Sequence, residues 1–514
     1  MRGEPRVRRG RREVPVVHGP GEATRVDAQR VAPAWGWRGA GGGRASHVAP
    51  AAEYQGTTSQ VCGLFPFVAG SGAPHIGVPI GRHIHWGQVV SLEPFGWLHA
   101  GLVTNPGMFV LGEPGTGKSS MAKRLLTGMA AFGVRSIVLG DVKPDYARLV
   151  ERLGGQVIHV GRGLDRINPL DSGPLGTAID RLRAGGHDAV ADQLLAELRG
   201  RRIALLGGLC SLGRAHQPVT PGEEVLLGAA IDHLAATLPG VDPTIPQVLD
   251  VIRCAPDELV RLAEVNGTEE FHRDSKALRQ TLRLLCEGSL RGMFDGPTTN
   301  PFDLDAPAID VDISAVANGG EDTAVAAAML CSWAYGFGVV DAALALADVG
   351  LAPQRNYVAF LDELWRALRG APGLVDRADT LTRVNRQKGM GQIMLTHSLA
   401  DLEALPTEAD RAKARGFVER CGITVLGGLP PRELAALAPV VGHLSAEERR
   451  MVASWSTPTS WAGGTQHPGR GKYLIKAGLR SGIPVELEYV ADESDVYDTD
   501  AAVTANLRAH QESR

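Results

Sequence analysis

The sequence predicts an α/β protein, a mostly parallel central sheet interrupted by an all-helical insertion. Three observations predict it. Short apolar runs that read as buried strands alternate with segments of helical period. One such strand leads through a Gly-rich turn directly into a helix. And residues 173–298 carry helical periodicity without strand signals.

Taken in order, residues 1–55 are rich in Arg, Gly and Pro and have almost no apolar periodicity. Such a segment buries too little surface to offset its ordering entropy, so it reads as a disordered tail. From 56 to 172 the first part of the sheet domain follows. Gly77–Arg82 and Gly87–Leu92 are short extended pieces, and Met108–Leu111 is an apolar run before the Gly-rich turn. Met121, Leu125, Leu126, Met129 and Phe132 then recur at helical spacing until Gly133 stops the helix. Ser136–Leu139 and Gln156–Val160 read as further strands.

In the insertion, Val190, Leu194, Leu195 and Leu198 share one helical face, as do Leu278, Leu282 and Leu285. Thr220-Pro221-Gly222-Glu223 has the pattern of a capping box with Pro at the first helical position, opening a helix through Leu238. The second part of the sheet domain, 299–490, supplies Ala308–Ile313, Tyr357–Leu361, Gln392–Leu395, Ile423–Leu426, Tyr473–Lys476 and Val485–Tyr489. A polar tail is expected over 491–514.

Charge narrows the partners. The chain's formal net charge is -4, but its first fifty residues hold ten Arg against Glu4, Glu13, Glu22 and Asp27, a surplus of six. The remainder therefore carries -10. A body of that sign is ill suited to gripping duplex DNA over a broad face, although local basic loops in a ring pore could do so. The six cysteines show no CxxC and no nearby His, which excludes a metal or disulfide framework and predicts small buried apolar residues. Between Asp322 and Asp341 lie eighteen uncharged residues, long enough to span a membrane. They are Ala-rich, include Ser332 and two Gly, and lack Lys or Arg anchors on either flank. The expectation is a helix buried against the sheet, and no integral membrane span.

The turn after Met108–Leu111 is Gly112-Glu113-Pro114-Gly115-Thr116-Gly117-Lys118-Ser119, which fits G-x-x-x-x-G-K-[ST] between a strand and a helix. The glycines let backbone N–H groups curl around phosphates, and the helix offers them its positive end. Lys118 reaches the β- and γ-phosphates of ATP and the Ser119 hydroxyl ligates Mg²⁺. The binding segment is thus Gly112 to Ser119 with Ser120. Tyr357–Leu361 ends in Asp362-Glu363: Asp362 would hold the metal, and Glu363 would act as general base toward the attacking water. Lys118 and Asp362 lie 244 positions apart, a gap that suits a RecA-like P-loop motor with an insertion and not a small kinase or GTPase. Thr396-His397, at the end of the strand Gln392–Leu395, could report on the γ-phosphate. Arg383 and Arg386 are candidate fingers for a neighbouring subunit's ATP.

Several further segments, taken in order, carry a family resemblance. They are Gly140-Asp-Val-Lys-Pro-Asp-Tyr146, Leu153-Gly-Gly155, Ile167-Asn-Pro-Leu-Asp171, Phe294-Asp-Gly-Pro-Thr-Thr299, Val311-Asp312-Ile313-Ser314, Leu361-Asp-Glu-Leu-Trp365, Pro468-Gly-Arg-Gly-Lys472 and Leu474-Ile-Lys476. With the nucleotide motifs they resemble conjugative type IV secretion ATPases of the VirB type, within the HerA–FtsK superfamily, and their wording is similar to actinobacterial members. The resemblance runs from about residue 75 to 500.

It implies a ring, usually a hexamer, that hydrolyses ATP while docked on membrane channel components at the inner face of the cell membrane, with a cytoplasmic location. The carried-over positions are Gly112, Gly117, Lys118, Ser119, Asp362 and Glu363. Where the family commonly has Thr-Gln this chain has Thr396-His397. Asp141, Lys143 and Asn168 match motif positions without an evident chemical step. The motor-like segment begins near the start of the sequence, so no separate N-terminal membrane-docking domain is expected. Two other functions stay open: a translocase acting directly on DNA, and a non-hydrolysing assembly scaffold gated by ATP.

Overall fold

The computed structural model describes residues 74–363, 365–366, 375, 388–405, 407–441, 444–456, 469–489 and 493–497. The described residues belong to one compact unit. Among the described residues there are eleven strands: β1 Val78–His83, β2 Val89–Leu92, β3 Gly107–Leu111, β4 Arg135–Asp141, β5 Gln156–His159, β6 Ala308–Asp312, β7 Tyr357–Leu361, β8 Met390–Thr396, β9 Ile423–Leu426, β10 Lys472–Lys476 and β11 Ile483–Leu487. They form one sheet in the order β2-β1-β11-β10-β9-β3-β8-β7-β4-β6-β5.

From β9 to β5 every pairing is parallel, while β10, β11, β1 and β2 add an antiparallel wing. The parallel strands β3, β6, β7, β8 and β9 are buried along their whole length. That is why β3 and β7 read as unbroken apolar runs instead of an alternating pattern, whereas β6 also buries Asp310 and Asp312. Every strand legible in the sequence is present, within a residue or two of its expected ends. β4 continues past Leu139 to Asp141 because Gly140, at φ +90°, shifts the pairing register there.

Helices cover both faces. On one, the helix Lys118–Ala131 buries Met121, Leu125, Leu126 and Met129 against a cluster with Val138, Val358, Phe360 and Leu395. On the other lies Asp322–Asp348, the apolar segment with the length of a membrane span. Of its most apolar window 89% is buried inside the protein. Trp333 Nε1 donates to the Leu139 carbonyl at 3.3 Å. Gly336 faces β4 so closely that a Cβ there would lie 2.4 Å from Leu139 Cδ2.

Between Gly173 and Glu287 there are seven helices and no strand. The Thr220 box forms as expected: Glu223 N donates to Thr220 Oγ1 at 3.3 Å, and Thr220 N to Glu223 Oε2 at 2.9 Å. Leu194, Leu198, Leu278, Leu282 and Leu285 are buried, but Leu195 is exposed, one position off the stripe that its neighbours bury. Leu205 and Leu209 of this layer join the same apolar cluster as Ile137 and Leu139, with the Asp322–Asp348 helix between them.

The cysteines depart in part from expectation. Cys210 and Cys331 are buried and Cys286 and Cys421 partly so, but Cys254 ends a helix in solvent; Cys62 lies outside the described residues. Where a polar tail was expected, Glu493 pairs with Arg124, and Tyr497 Oη lies 3.0 Å from Thr127 Oγ1 on the Lys118–Ala131 helix. The expected 1–55 tail lies outside the described residues.

Candidate active site

The Gly-rich turn leaves β3, the middle strand of the whole sheet, and enters the helix at Lys118. Gly115 and Gly117 stand at φ +82° and +91°, a left-handed backbone that side chains disfavour and that turns the loop. The turn is braced from beneath. Thr116 Oγ1 donates to the Glu113 carbonyl at 2.7 Å, and Glu113 N to the Gly428 carbonyl at 3.0 Å. The Thr116 carbonyl accepts from Gly471 N at 2.9 Å and from the buried Tyr473 hydroxyl at 3.0 Å. Pro114 and Gly115 remain exposed at the crest.

β8 lies between β3 and β7, so three strand ends face one another across the turn. Ser119 Oγ donates to Asp362 Oδ2 at 3.4 Å, and the Tyr146 hydroxyl donates to the same oxygen at 2.8 Å. Lys118 Nζ donates to the Gly112 carbonyl at 2.6 Å and lies 2.9 Å from His397 Nδ1; His397 Nε2 is 3.1 Å from Glu363 Oε1. Segments more than two hundred residues apart in sequence thus make one polar cluster.

Glu363 carries three donors. Lys143 Nζ reaches Oε1 at 2.8 Å beside His397, and Trp365 Nε1 reaches Oε2 at 2.7 Å. Its φ of +50° places a non-glycine residue in the left-handed region, a local strain of the kind that surrounding contacts hold in place at functional positions.

Burial and neighbours set the charges. Burial lowers the Lys118 ammonium to about 8, partly offset by Asp362 and Glu363. Burial raises the Asp362 carboxyl above its ordinary range, against the Tyr146 hydrogen bond. Glu363 is also pushed up by burial, but hydrogen bonds from His397 and Lys143 outweigh that and hold it well below the usual carboxylate range. The Ser119 hydroxyl and Asp362 carboxylate are hard oxygen donors side by side at the helix start. That donor set suits Mg²⁺, which takes few protein ligands and fills its shell with water and phosphate. Among the described residues no cluster of three or more His, Cys, Asp or Glu forms a separate metal site.

Lys143 and Asp141 gain positions that the sequence left without a role. Asp141 accepts from Lys143 N at 3.1 Å and from Tyr146 N at 2.8 Å, so it shapes the loop that delivers Lys143 to Glu363 and Tyr146 to Asp362. Asn168 stands apart, as a loop clamp. Its backbone N–H donates to Thr298 Oγ1, its Nδ2 to the Pro243 carbonyl, and its Oδ1 accepts from Leu170 N. Arg383 and Arg386 lie outside the described residues. Sequence reasoning missed Tyr146, Trp365, Gly471 and Tyr473 as site residues. Each sits inside a quoted motif or a strand, but the bonds of Tyr146, Gly471 and Tyr473 cross the fold and have no local signature, while Trp365 bonds Glu363 only two residues away.

No family model matches the chain, and no curated protein matches it in sequence. Among solved structures, VirB4 of Thermoanaerobacter pseudethanolicus superposes with a TM-score of 0.60 at 19% identity, covering 82% of this chain and 100% of that one. The plasmid coupling protein TrwB in complex with ADP and Mg²⁺ aligns at a TM-score of 0.46 and 14% identity over 81% of this chain and 96% of its own, too loosely to carry an argument. The first alignment establishes the architecture: this chain has the fold of VirB4, a RecA-like P-loop sheet with helices on both faces.

Proposed function

We propose that this chain is an ATP-hydrolysing motor of a conjugative DNA-transfer or type IV secretion apparatus. In this reading it works as a ring of identical subunits docked by channel components at the inner face of the cell membrane. The observation that supports hydrolysis most directly is the meeting of Ser119 with Asp362 at 3.4 Å, with Glu363 one residue further on. What supports a secretion motor is the ordered set of motifs from Gly140 to Lys476 on a fold shared with VirB4.

The chemistry follows from the groups present. Gly112 to Ser120 bind the triphosphate through backbone N–H groups and the helix N-terminus. Lys118 exchanges the Gly112 carbonyl for the β- and γ-phosphates. Ser119 and Asp362 would hold Mg²⁺, whose charge offsets that developing on the transferred phosphoryl group. Glu363, ionised at neutral pH, orients the attacking water and accepts its proton as ATP and water become ADP and phosphate. His397, between Lys118 and Glu363, is placed to respond to the γ-phosphate. Arg383 or Arg386 from a neighbouring subunit completes the site in trans.

The test is phosphate release by the full chain against protein concentration, with and without single- and double-stranded DNA. A rate per subunit that climbs with concentration and is little changed by DNA is the expected result. A large stimulation by DNA that salt abolishes would instead indicate a translocase acting on DNA itself. No release at any concentration would leave an ATP-gated scaffold.

A further inference from the structure

We propose that Lys143 reads the γ-phosphate. Lys143 is bonded to Glu363; when ATP binds it transfers to the terminal phosphate and frees that carboxylate to orient water. The inference rests on the ATPase reading above and assigns a positioning residue to it.

Four observations point there. Glu363 is occupied by Lys143, His397 and Trp365 together, leaving little acceptor capacity for water. Of the two donors that share Oε1, Lys143 is the one free to move. Its side chain is 63% exposed, against 30% for His397 and 11% for Glu363 itself. Its backbone is fixed by Asp141, so only the flexible stem needs to swing.

The fourth observation is convergence. Lys118, His397, Glu363 and Lys143 are bonded in one continuous chain with an ammonium group at each end. Two cations converging on one small space favour a multiply charged anion there. A terminal phosphate offers Lys143 more than the single carboxylate oxygen it shares with His397. ADP lacks that phosphate and leaves Lys143 on Glu363, so the catalytic carboxylate is released only when there is something to hydrolyse.

The test uses the full chain and its Lys143→Ala and Lys143→Arg variants. Binding of ATPγS and of ADP with Mg²⁺ is measured beside steady-state hydrolysis of ATP. Lys143→Ala should weaken ATPγS by roughly ten- to hundredfold, leave ADP binding unchanged and lower kcat; Lys143→Arg should recover most of both losses. Unchanged ADP binding shows at once that the variant folds. Equal weakening of both nucleotides makes Lys143 a structural salt bridge and overturns the inference, as does no change in either. If the unmodified chain binds neither nucleotide, the ATPase reading itself falls, a result distinct from either failure of the variant.

Discussion

Lys118 illustrates how one side chain is held in place for a triphosphate. Its ammonium rests on the Gly112 carbonyl and faces His397, bonds that a triphosphate replaces with stronger charge-assisted ones. Lys118→Ala should therefore lower kcat/KM for ATP by about a hundredfold or more, read from steady-state hydrolysis; a loss of only a few-fold would remove Lys118 from the site. A second residue-scale prediction concerns Asp310 in β6. Neither of its carboxylate oxygens has a hydrogen-bond partner, and burial, then Asp141 and Asp312, push its carboxyl well above the ordinary range. The folded chain thus holds a proton that the unfolded chain releases above about pH 4, so this group destabilises the fold increasingly as pH rises. Asp310→Asn should be more stable than the parent at pH 8, with the gap narrowing toward pH 5 in denaturant unfolding. A gap independent of pH would mean that Asp310 is ionised in the native state.

At the scale of elements, close helix-to-sheet packing sets the site. The Lys118–Ala131 helix presses on β1 at Gly128, where a Cβ would lie 2.2 Å from Val78 Cγ1 and 2.5 Å from Cγ2. Val78 is buried, and its β-branched side chain is stiff at χ1. Gly128→Leu should cost about 1–3 kcal/mol in unfolding free energy despite leucine's better helix propensity, because overpacking outweighs the propensity gain. A neutral or stabilised variant would contradict this contact. The same scale shows what could be read from sequence. Strands such as Tyr357–Leu361 announce themselves because burial on both faces demands unbroken apolar residues. Their neighbours do not: nothing in Met390–Thr396 states that it lies between β3 and β7. So Lys118, Ser119, Asp362 and Glu363 were legible from local pattern. The bonds from Lys143, Tyr146 and Tyr473 exist only once the strand order is fixed.

Across the whole molecule, charge and architecture constrain the kind of machine this is. The seven-helix layer is continuous with the sheet's core through Asp322–Asp348, which couples that layer to the strand carrying the Asp141 loop. The acidic balance of the body leaves duplex DNA little broad electrostatic purchase, which supports the proposed secretion motor over a translocase acting on DNA itself. Whether two segments distant in sequence form one hydrolytic site is decided by MgATP binding and phosphate release measured on the full chain and on Glu363→Gln. The variant should bind MgATP as tightly as the parent while releasing phosphate roughly a hundredfold or more slowly. A variant that hydrolyses as fast as the parent would contradict such a site.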